Sequence, residues 1–289
     1  MKIEEVKKIA VFGCGQMGRQ IGLNNAIYGF DTYITDANLE VVDNAQKWAE
    51  DYIKGRIEKG KLKEGEAKAA LAKFHTVKTF KDAAEDADII IEAIIEDKQI
   101  KEDFFSQIDK IAKKDAIIVT NSSFMVSSMF KEVISNPSRL ANLHYFNPAL
   151  VMKLTEVVQG PQTSDDTVQT LIEFSKKTGK KPVLVKKEID GFITNRILRA
   201  VTNEALYLLE EGIATPEDID TAAENGLNYP MGPFKLMDLT GIDTGYLVAK
   251  LMLEQTGFRK PGIDLLEEKY IKKEWGRKTG KGWYTYDKK

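Results

Sequence analysis

The fold is decided close to the start of the chain, where residues 9–18 read IAVFGCGQMG. Four apolar residues, typical of a short buried strand, lead directly into Gly13, Gly15 and Gly18, and residues 21–27 then have helical spacing. Glycines at this kind of junction permit a tight turn, close approach of the backbone to a phosphate, and close packing of the helix on the strand. Glycine patterns of this kind are common by themselves. This one indicates a phosphate-binding turn because it lies between a strand and a helix.

Apolar runs rich in isoleucine and valine recur along the chain and alternate with helical segments. We predict further strands at residues 32–35, 89–95, 116–120, 140–144, 154–158 and 183–185. Helical spacing lies between them, notably at residues 39–59 and 101–111. Continuous apolar strands are typical of parallel sheets covered by helices on both faces. The sequence therefore predicts an α/β fold with a doubly wound sheet, whose ligands bind at the carboxyl ends of the strands.

The character of the sequence changes after Gly191. Residues 192–211 form a long amphipathic run, and the next helix begins at Thr215, a hydroxyl cap that is followed by Pro216 and two acids. We therefore predict two domains. Residues 1–188 form a Rossmann-type domain with a helical arm near residues 39–70, and residues 189–289 form an all-helical C-terminal domain.

Composition limits the classes of protein to which the chain can belong. Its 289 residues are 43% hydrophobic and 30% charged, as in a soluble globular protein, and its net charge of -2 argues against a nucleic-acid partner. Cys14 is the single cysteine, which excludes a disulfide framework and predicts no metal site. No apolar run approaches the roughly 18 residues that a membrane span needs. We expect a cytoplasmic protein without a membrane partner.

The second predicted strand ends at Asp36, eighteen residues after Gly18. A carboxylate at this position can accept hydrogen bonds from a ribose 2′-hydroxyl, and its charge repels a 2′-phosphate. The sequence therefore predicts NAD as the cofactor, and NADP is disfavoured. The predicted contacts of the glycine turn are Gly13, Gly15, Gln16, Met17 and Gly18. A structural turn beside a surface aspartate is the alternative interpretation.

Histidine is the side chain most often used as a base near neutral pH, and the chain contains two. His75 lies in a charged stretch, whereas His144 ends a predicted strand and enters a proline-containing turn on the presumed cofactor side. We therefore favour His144. Glu156, in the next apolar segment, is placed where it could bind the second ring nitrogen and stabilise an imidazolium. A purely structural histidine at a strand end is the competing explanation.

Six segments resemble the 3-hydroxyacyl-CoA dehydrogenase family, in family order and over nearly the whole chain. They are IEAIIE at 91–96, LHYFNP at 143–148, VMKLTEVV at 151–158, DGFITNR at 190–196, NYPMGPF at 228–234 and GRKTGKG at 276–282. The resemblance implies NAD-dependent interconversion of L-3-hydroxyacyl-CoA and 3-oxoacyl-CoA, with His144 as the base and Glu156 as its acid. It also implies a homodimer that forms through the C-terminal helices.

The resemblance further implies that a serine and an asparagine hold the 3-oxygen beside the base. The asparagine is Asn195, for which helix capping is the alternative role. The serine is ambiguous, because the family usually has Asn-Thr-Ser-Ser-Leu where this chain has Asn121 followed by Ser122, Ser123 and Phe124. Counting from Asn121 or back from His144 selects Ser123, and aligning the following apolar residues selects Ser122. We favour Ser123 and keep Ser122 as the rival.

Matching positions in the family also suggest contacts with NAD. They assign Glu96, Lys101 and Lys278 to the cofactor and Asn147 to the vicinity of the nicotinamide. An acidic cap at a strand end would equally explain Glu96, and a solvated surface charge would explain either lysine.

Five cations surround the end of the predicted arm helix, namely Lys54, Arg56, Lys59, Lys61 and Lys63. Such a cluster could bind the phosphates of coenzyme A. Lys59 falls at the lysine that the family uses there, whereas Tyr52 stands where the family has a serine. The alternative is a solvated helix face balanced by neighbouring acids. By resemblance we expect a short acyl group, such as 3-hydroxybutyryl. Two rival functions remain, a dehydrogenase of a free hydroxy acid or sugar acid and a non-catalytic NAD-binding protein.

Overall fold

The computed structural model describes residues 1–287, except for the side chain of Gln255. It contains two compact units, Met1–Ile193 and Thr194–Lys289. The sequence placed the boundary between residues 188 and 189, and the two units divide between Ile193 and Thr194. The end of the predicted C-terminal domain, residues 288–289, lies outside the described residues.

The first unit is built on a sheet whose strands follow the order β3-β2-β1-β4-β5-β6-β7-β8. The strands are β1 (Lys8–Phe12), β2 (Asp31–Thr35), β3 (Phe74–Thr76), β4 (Ile89–Glu92), β5 (Ile117–Thr120), β6 (Leu140–Tyr145), β7 (Leu154–Val158) and β8 (Lys181–Val185). Neighbours pair in parallel, except that β6 and β7 are antiparallel. The α/β sheet predicted from the sequence is therefore confirmed.

Helices accompany these strands along the first unit. They are α1 (Gln16–Ile27), α2 (Leu39–Glu58), α3 (Glu64–Leu71), α4 (Phe80–Ala84), α5 (Lys98–Ile111) and α6 (Asp165–Lys177). Successive residues of β1 contribute to different cores: Ile9 and Val11 lie in one apolar cluster, and Ala10 and Phe12 lie in the other. Burial on both faces explains why the strands read as continuous apolar runs.

The structure departs from the predicted elements in several places. The strand predicted at 89–95 ends at Glu92, whose carboxylate accepts a hydrogen bond from the backbone N–H of Ile94 at 2.8 Å and so turns the chain. The short elements β3 and α4 were missed, because they are too brief for a periodic pattern, and the predicted arm near residues 39–70 consists of two helices, α2 and α3. The helix expected from residue 192 begins at Thr194, since Gly191 and Phe192 adopt positive φ angles of 72° and 49°.

The second unit is helical, as the sequence predicts. Its helices are α7 (Thr194–Glu210), α8 (Pro216–Gly226), α9 (Pro233–Thr240), α10 (Ile242–Thr256) and α11 (Ile263–Ile271). The Thr215 hydroxyl caps α8 by accepting from the Asp218 N–H at 3.2 Å. The buried Asp238 carboxylate accepts from the backbone N–H groups of Trp283 and Tyr284, which fastens the C-terminal tail to α9.

Candidate active site

The glycine turn between β1 and α1 fits the close approach of a phosphate. A Cβ atom at Gly13 would meet the carbonyl oxygen of Ala93 at 2.3 Å, and one at Gly18 would meet the Gly13 carbonyl oxygen at 1.7 Å. These two glycines therefore allow the turn to pack against β4 and α1 to pack against the turn. Gly15 differs, because a Cβ there would meet no atom within 4 Å. Open space at the start of a helix is where an anion can reach backbone N–H groups.

Asp36 follows β2 and lies against the glycine turn. Its carboxylate accepts from the backbone N–H of Cys14 at 2.7 Å and from that of Asn38 at 2.9 Å. An open cavity of about 690 Å³ lies beside it, lined also by Gly13, Gly15 and Phe104. Burial, assisted by the charge of Asp36, raises the pKa of the Cys14 thiol to about 12, so no thiolate stands in the turn at neutral pH.

His144 and Glu156 are direct neighbours across the antiparallel pair of β6 and β7. His144 Nδ1 lies 2.8 Å from Glu156 Oε2, and the two residues are 3% and 0% exposed. The other carboxylate oxygen of Glu156 accepts from the Ile193 N–H at 3.1 Å. Because a carboxylate only accepts, the proton lies on Nδ1, and Nε2 presents its lone pair. The ring centroids of Phe146 and Phe192 lie 4.6 and 5.4 Å from the centroid of the His144 imidazole.

The two adjacent serines after β5 face different partners. Ser123 Oγ lies 2.9 Å from His144 Nε2, the ring nitrogen that is free to act as a base. Ser122 Oγ donates to Glu96 and accepts from the backbone N–H of Met125 at 2.8 Å. The structure therefore brings Ser123 to the imidazole, and Ser122 orders the loop.

Glu96 and Lys101 form a network with Glu92, a buried acid whose part in the site the sequence interpretation missed. Lys101 is 1% exposed, and its ammonium contacts Glu92 at 2.5 Å and Glu96 at 2.9 Å. Glu92 also accepts from the Thr120 hydroxyl at 2.6 Å, and its burial raises its pKa despite Lys101. In this arrangement Glu96 is open to solvent on one side, whereas Lys101 is enclosed by acids. The available sequence signal was an acidic residue inside the apolar run of residues 89–95.

Asn147 begins the turn between β6 and β7, directly after the strand that carries His144. Its side-chain oxygen accepts from Gln16 Nε2 at 3.1 Å, which joins this turn to the first residue of α1. The Asn147–Pro148 peptide bond is cis. Met17, also predicted as a cofactor contact, is half-buried and packs against the apolar core.

Two predicted site residues belong to the second unit. Asn195 lies in the first turn of α7 and is half-buried. Lys278 forms an ion pair with Asp243 at 2.6 Å and lies 5.4 Å from the centre of the Trp275 ring.

The basic cluster lies at the end of α2 and in the segment that follows. Lys54, Lys59, Lys61 and Lys63 are exposed, and over residues 1–287 none of these lysines forms an ion pair with an acid. The balancing acids considered from the sequence therefore do not neutralise them directly. Tyr52 stacks on Trp48 with ring centres 5.5 Å apart.

Together these groups can perform acid–base chemistry on a hydroxyl group beside a dinucleotide site. A base with a fixed tautomer lies near the carboxyl end of β6, the hydroxyl at its free nitrogen follows β5, and the glycine turn that can bind an anion follows β1 of the same sheet. Within the described residues, no group of three or more His, Cys, Asp or Glu side chains could hold a metal ion. No helix in that part of the chain is both long and apolar enough to cross a membrane.

Models of two domain families match the chain almost end to end. The NAD-binding domain of 3-hydroxyacyl-CoA dehydrogenase matches residues 8–189, and the C-terminal domain of the same family matches residues 191–286.

Individual relatives agree with these matches. A probable 3-hydroxybutyryl-CoA dehydrogenase of Bacillus subtilis is 36% identical over 99% of both chains. The mitochondrial hydroxyacyl-coenzyme A dehydrogenase of Homo sapiens is 35% identical over 97% of this chain and 91% of its own. The crystal structure of (S)-3-hydroxybutyryl-CoA dehydrogenase from Ralstonia eutropha superposes with a TM-score of 0.88, at 34% identity over 98% of this chain and 100% of its own.

Proposed function

The chain belongs to the 3-hydroxyacyl-CoA dehydrogenase family, and from this premise we propose that it interconverts L-3-hydroxyacyl-CoA and 3-oxoacyl-CoA with NAD. The observation that carries the proposal is the His144 imidazole, held by Glu156 on one nitrogen and open to a hydroxyl on the other. A non-catalytic NAD-binding role would not require this pair or the serine beside it.

NAD, when bound, supplies the acceptor for the hydride that leaves carbon 3. Gly15 and the start of α1 would hold its pyrophosphate, and Asp36 would accept from the adenosine ribose. The open space at Gly15 and the half-buried Asp36 carboxylate fit these groups. The residues of the glycine turn, with Glu96, Lys101, Asn147 and Lys278, form the proposed cofactor site. Since Lys101 is enclosed, its part is to fix Glu96.

The proton chemistry belongs to His144. Nε2 accepts the proton of the 3-hydroxyl, and the resulting imidazolium is stabilised by the Glu156 carboxylate at Nδ1. Ser123 donates a hydrogen bond to the 3-oxygen, and Asn195 is proposed to hold the same oxygen as the hydroxyl becomes a carbonyl. In the reverse direction the same nitrogen returns the proton.

The exposed lysines after α2 are proposed to bind the phosphates of coenzyme A, with Lys59 foremost. Their charges are not neutralised by ion pairs among the described residues, so they remain available to an anionic ligand. Names of relatives that include 3-hydroxybutyryl-CoA support a short acyl chain.

A dehydrogenase of a free hydroxy acid or sugar acid is the alternative candidate. The family and the relatives do not favour it, because their names specify 3-hydroxyacyl-CoA or 3-hydroxybutyryl-CoA. Oxidation of NADH with acetoacetyl-CoA and with free acetoacetate separates the two candidates. We expect kcat/KM to be at least roughly 100-fold higher for the thioester, because the free acid lacks every phosphate contact. Equal values for both would contradict the proposal.

We further propose a homodimer, located in the cytoplasm, that serves fatty-acid or butanoate metabolism. The near-zero net charge supports the absence of a nucleic-acid partner. The domain assignment, 1–188 for NAD and 189–289 for substrate and dimerisation, is supported by the family matches on either side of residue 190.

A further inference from the structure

Lys180 is a buried cation that the chemistry above does not use. It lies between α6 and β8, is 7% exposed, and over residues 1–287 forms no ion pair with a carboxylate. Its ammonium instead donates to the backbone carbonyl oxygens of Ala149 and Met152, the latter at 3.0 Å. A buried charge without a counterion is costly, so a chain without a use for it is expected to carry an apolar residue there.

Both of these carbonyls belong to the turn that joins β6 to β7. This turn connects the strand of His144 to the strand of Glu156, and Asn147 stands at its start. The turn is also held by α1, through Gln16 to Asn147 at 3.1 Å and through the Leu150 N–H to Gln20 at 3.4 Å. Lys180 and α1 therefore both hold this turn by hydrogen bonds.

We propose that Lys180 is a positioning residue for the cofactor site, which it serves by fixing the turn of residues 147–152 so that Asn147 stays joined to Gln16. The inference rests on the proposed role of Asn147 near the nicotinamide. Lys180 touches neither substrate nor cofactor. Its effect is therefore on NADH affinity first and on the chemical step only slightly.

The titration of Lys180 supports this role. Burial lowers its pKa to about 8, so raising the pH through this range removes the charge from both hydrogen bonds. Other titratable groups around it are Tyr145 on β6, whose pKa burial raises, Tyr28 on α1, and the neighbouring lysines Lys153, Lys177 and Lys181. A variant at Lys180 alone separates its titration from theirs.

The test is the NADH affinity of Lys180→Met, which keeps the apolar stem and removes the donors. By fluorescence titration at pH 7 we expect Kd for NADH to rise roughly tenfold, the loss of a charge-assisted contact, while kcat at saturating NADH falls less than about threefold. The native protein should lose affinity between pH 7 and 9.5, whereas Lys180→Met should show a flat profile. Lys177→Met, which changes an exposed lysine at the end of α6, is the matched control and should match the native protein.

A double variant tests the route of the effect. If Lys180 acts through the turn, adding Lys180→Met to Asn147→Ala should weaken NADH binding no further than Asn147→Ala alone. A folded Lys180→Met protein with a native Kd would overturn the inference, as would fully additive effects in the double variant. Should Lys180→Met fail to fold, the native pH profile decides, and a flat Kd for NADH overturns the inference.

Failure of the proposed function is a separate result. NADH titration requires no acyl-CoA. A protein that reduces no 3-oxoacyl-CoA would contradict the proposed function, and its NADH affinity would still test the role of Lys180.

Discussion

At the scale of single residues, the orientation of two neighbouring serines separates chemistry from loop structure. Ser123→Ala removes the hydroxyl at His144 Nε2, so we expect kcat to fall roughly 10- to 100-fold with an unchanged Tm. Ser122→Ala removes the bond to Glu96 and should lower Tm, with the smaller loss in kcat. Steady-state kinetics and thermal unfolding of both variants check this. A larger kcat loss for Ser122→Ala would reverse the assignment.

We expect the His144 imidazole to contribute more to turnover than any other side chain. His144→Gln keeps a polar side chain of similar size but offers no base, so turnover with acetoacetyl-CoA should drop roughly 100-fold or more while NADH still binds. His75→Gln is the matched control, because His75 lies on the edge strand β3 beside Asp31 and Tyr33. Native turnover in His144→Gln, or a comparable loss in His75→Gln, would remove His144 from the mechanism.

At the scale of elements, Asp88 fastens the start of β1 to β4. Its carboxylate accepts from the N–H groups of Lys7 and Lys8 at 2.7 and 2.9 Å and pairs with Lys113. Burial by itself would raise the pKa of Asp88, but these contacts outweigh burial and hold it below the ordinary value of 3.8. A group with a lowered pKa stabilises the fold above that value and loses its contribution as the pH falls through its own pKa.

Asp88→Asn should therefore lower the free energy of unfolding by about 1–3 kcal/mol at pH 7. The difference from the native protein should narrow as the pH falls below about 4 and on through the lowered pKa of Asp88, because the carboxyl then becomes protonated in the folded state as well as in the unfolded state. Urea unfolding of both proteins across this pH range measures the difference in the free energy of unfolding. Asp86→Asn, at an exposed neighbouring position, should change little. A gap that persists unchanged at low pH would rule out the charge as its origin.

Local patterns predicted most elements, and the site required non-local pairing. The glycine turn, the strand that ends before Asp36 and the cap at Thr215 follow from short-range rules, and the structure has them. The contact of His144 with Glu156 depends on the antiparallel register of β6 and β7, which spacing alone does not fix. The serine choice depended on the direction of one side chain. Lys180 was missed because it lies in a lysine-rich stretch that resembles a solvated surface.

At the scale of the whole molecule, the second unit exposes apolar side chains on α10. Leu247 and Leu251, one helical turn apart, are each 50% exposed. Exposed apolar surface of this kind marks an interaction face, and a homodimer is the expected use. A Leu247→Glu and Leu251→Glu double variant should run as a monomer in light scattering, while Lys250→Glu should remain dimeric. A native protein that is monomeric at micromolar concentration would contradict the proposal.

The antiparallel register of β6 and β7 also limits how this protein can change. Side chains alternate between the two sides of a strand, so sliding one strand past the other by a single position would send the acid to the opposite surface of the sheet. An inserted residue that shifts the ladder in this way would separate Glu156 from the His144 imidazole, although neither residue is itself replaced. Tolerated length variants of the connecting turn should therefore be those that leave the ladder in place.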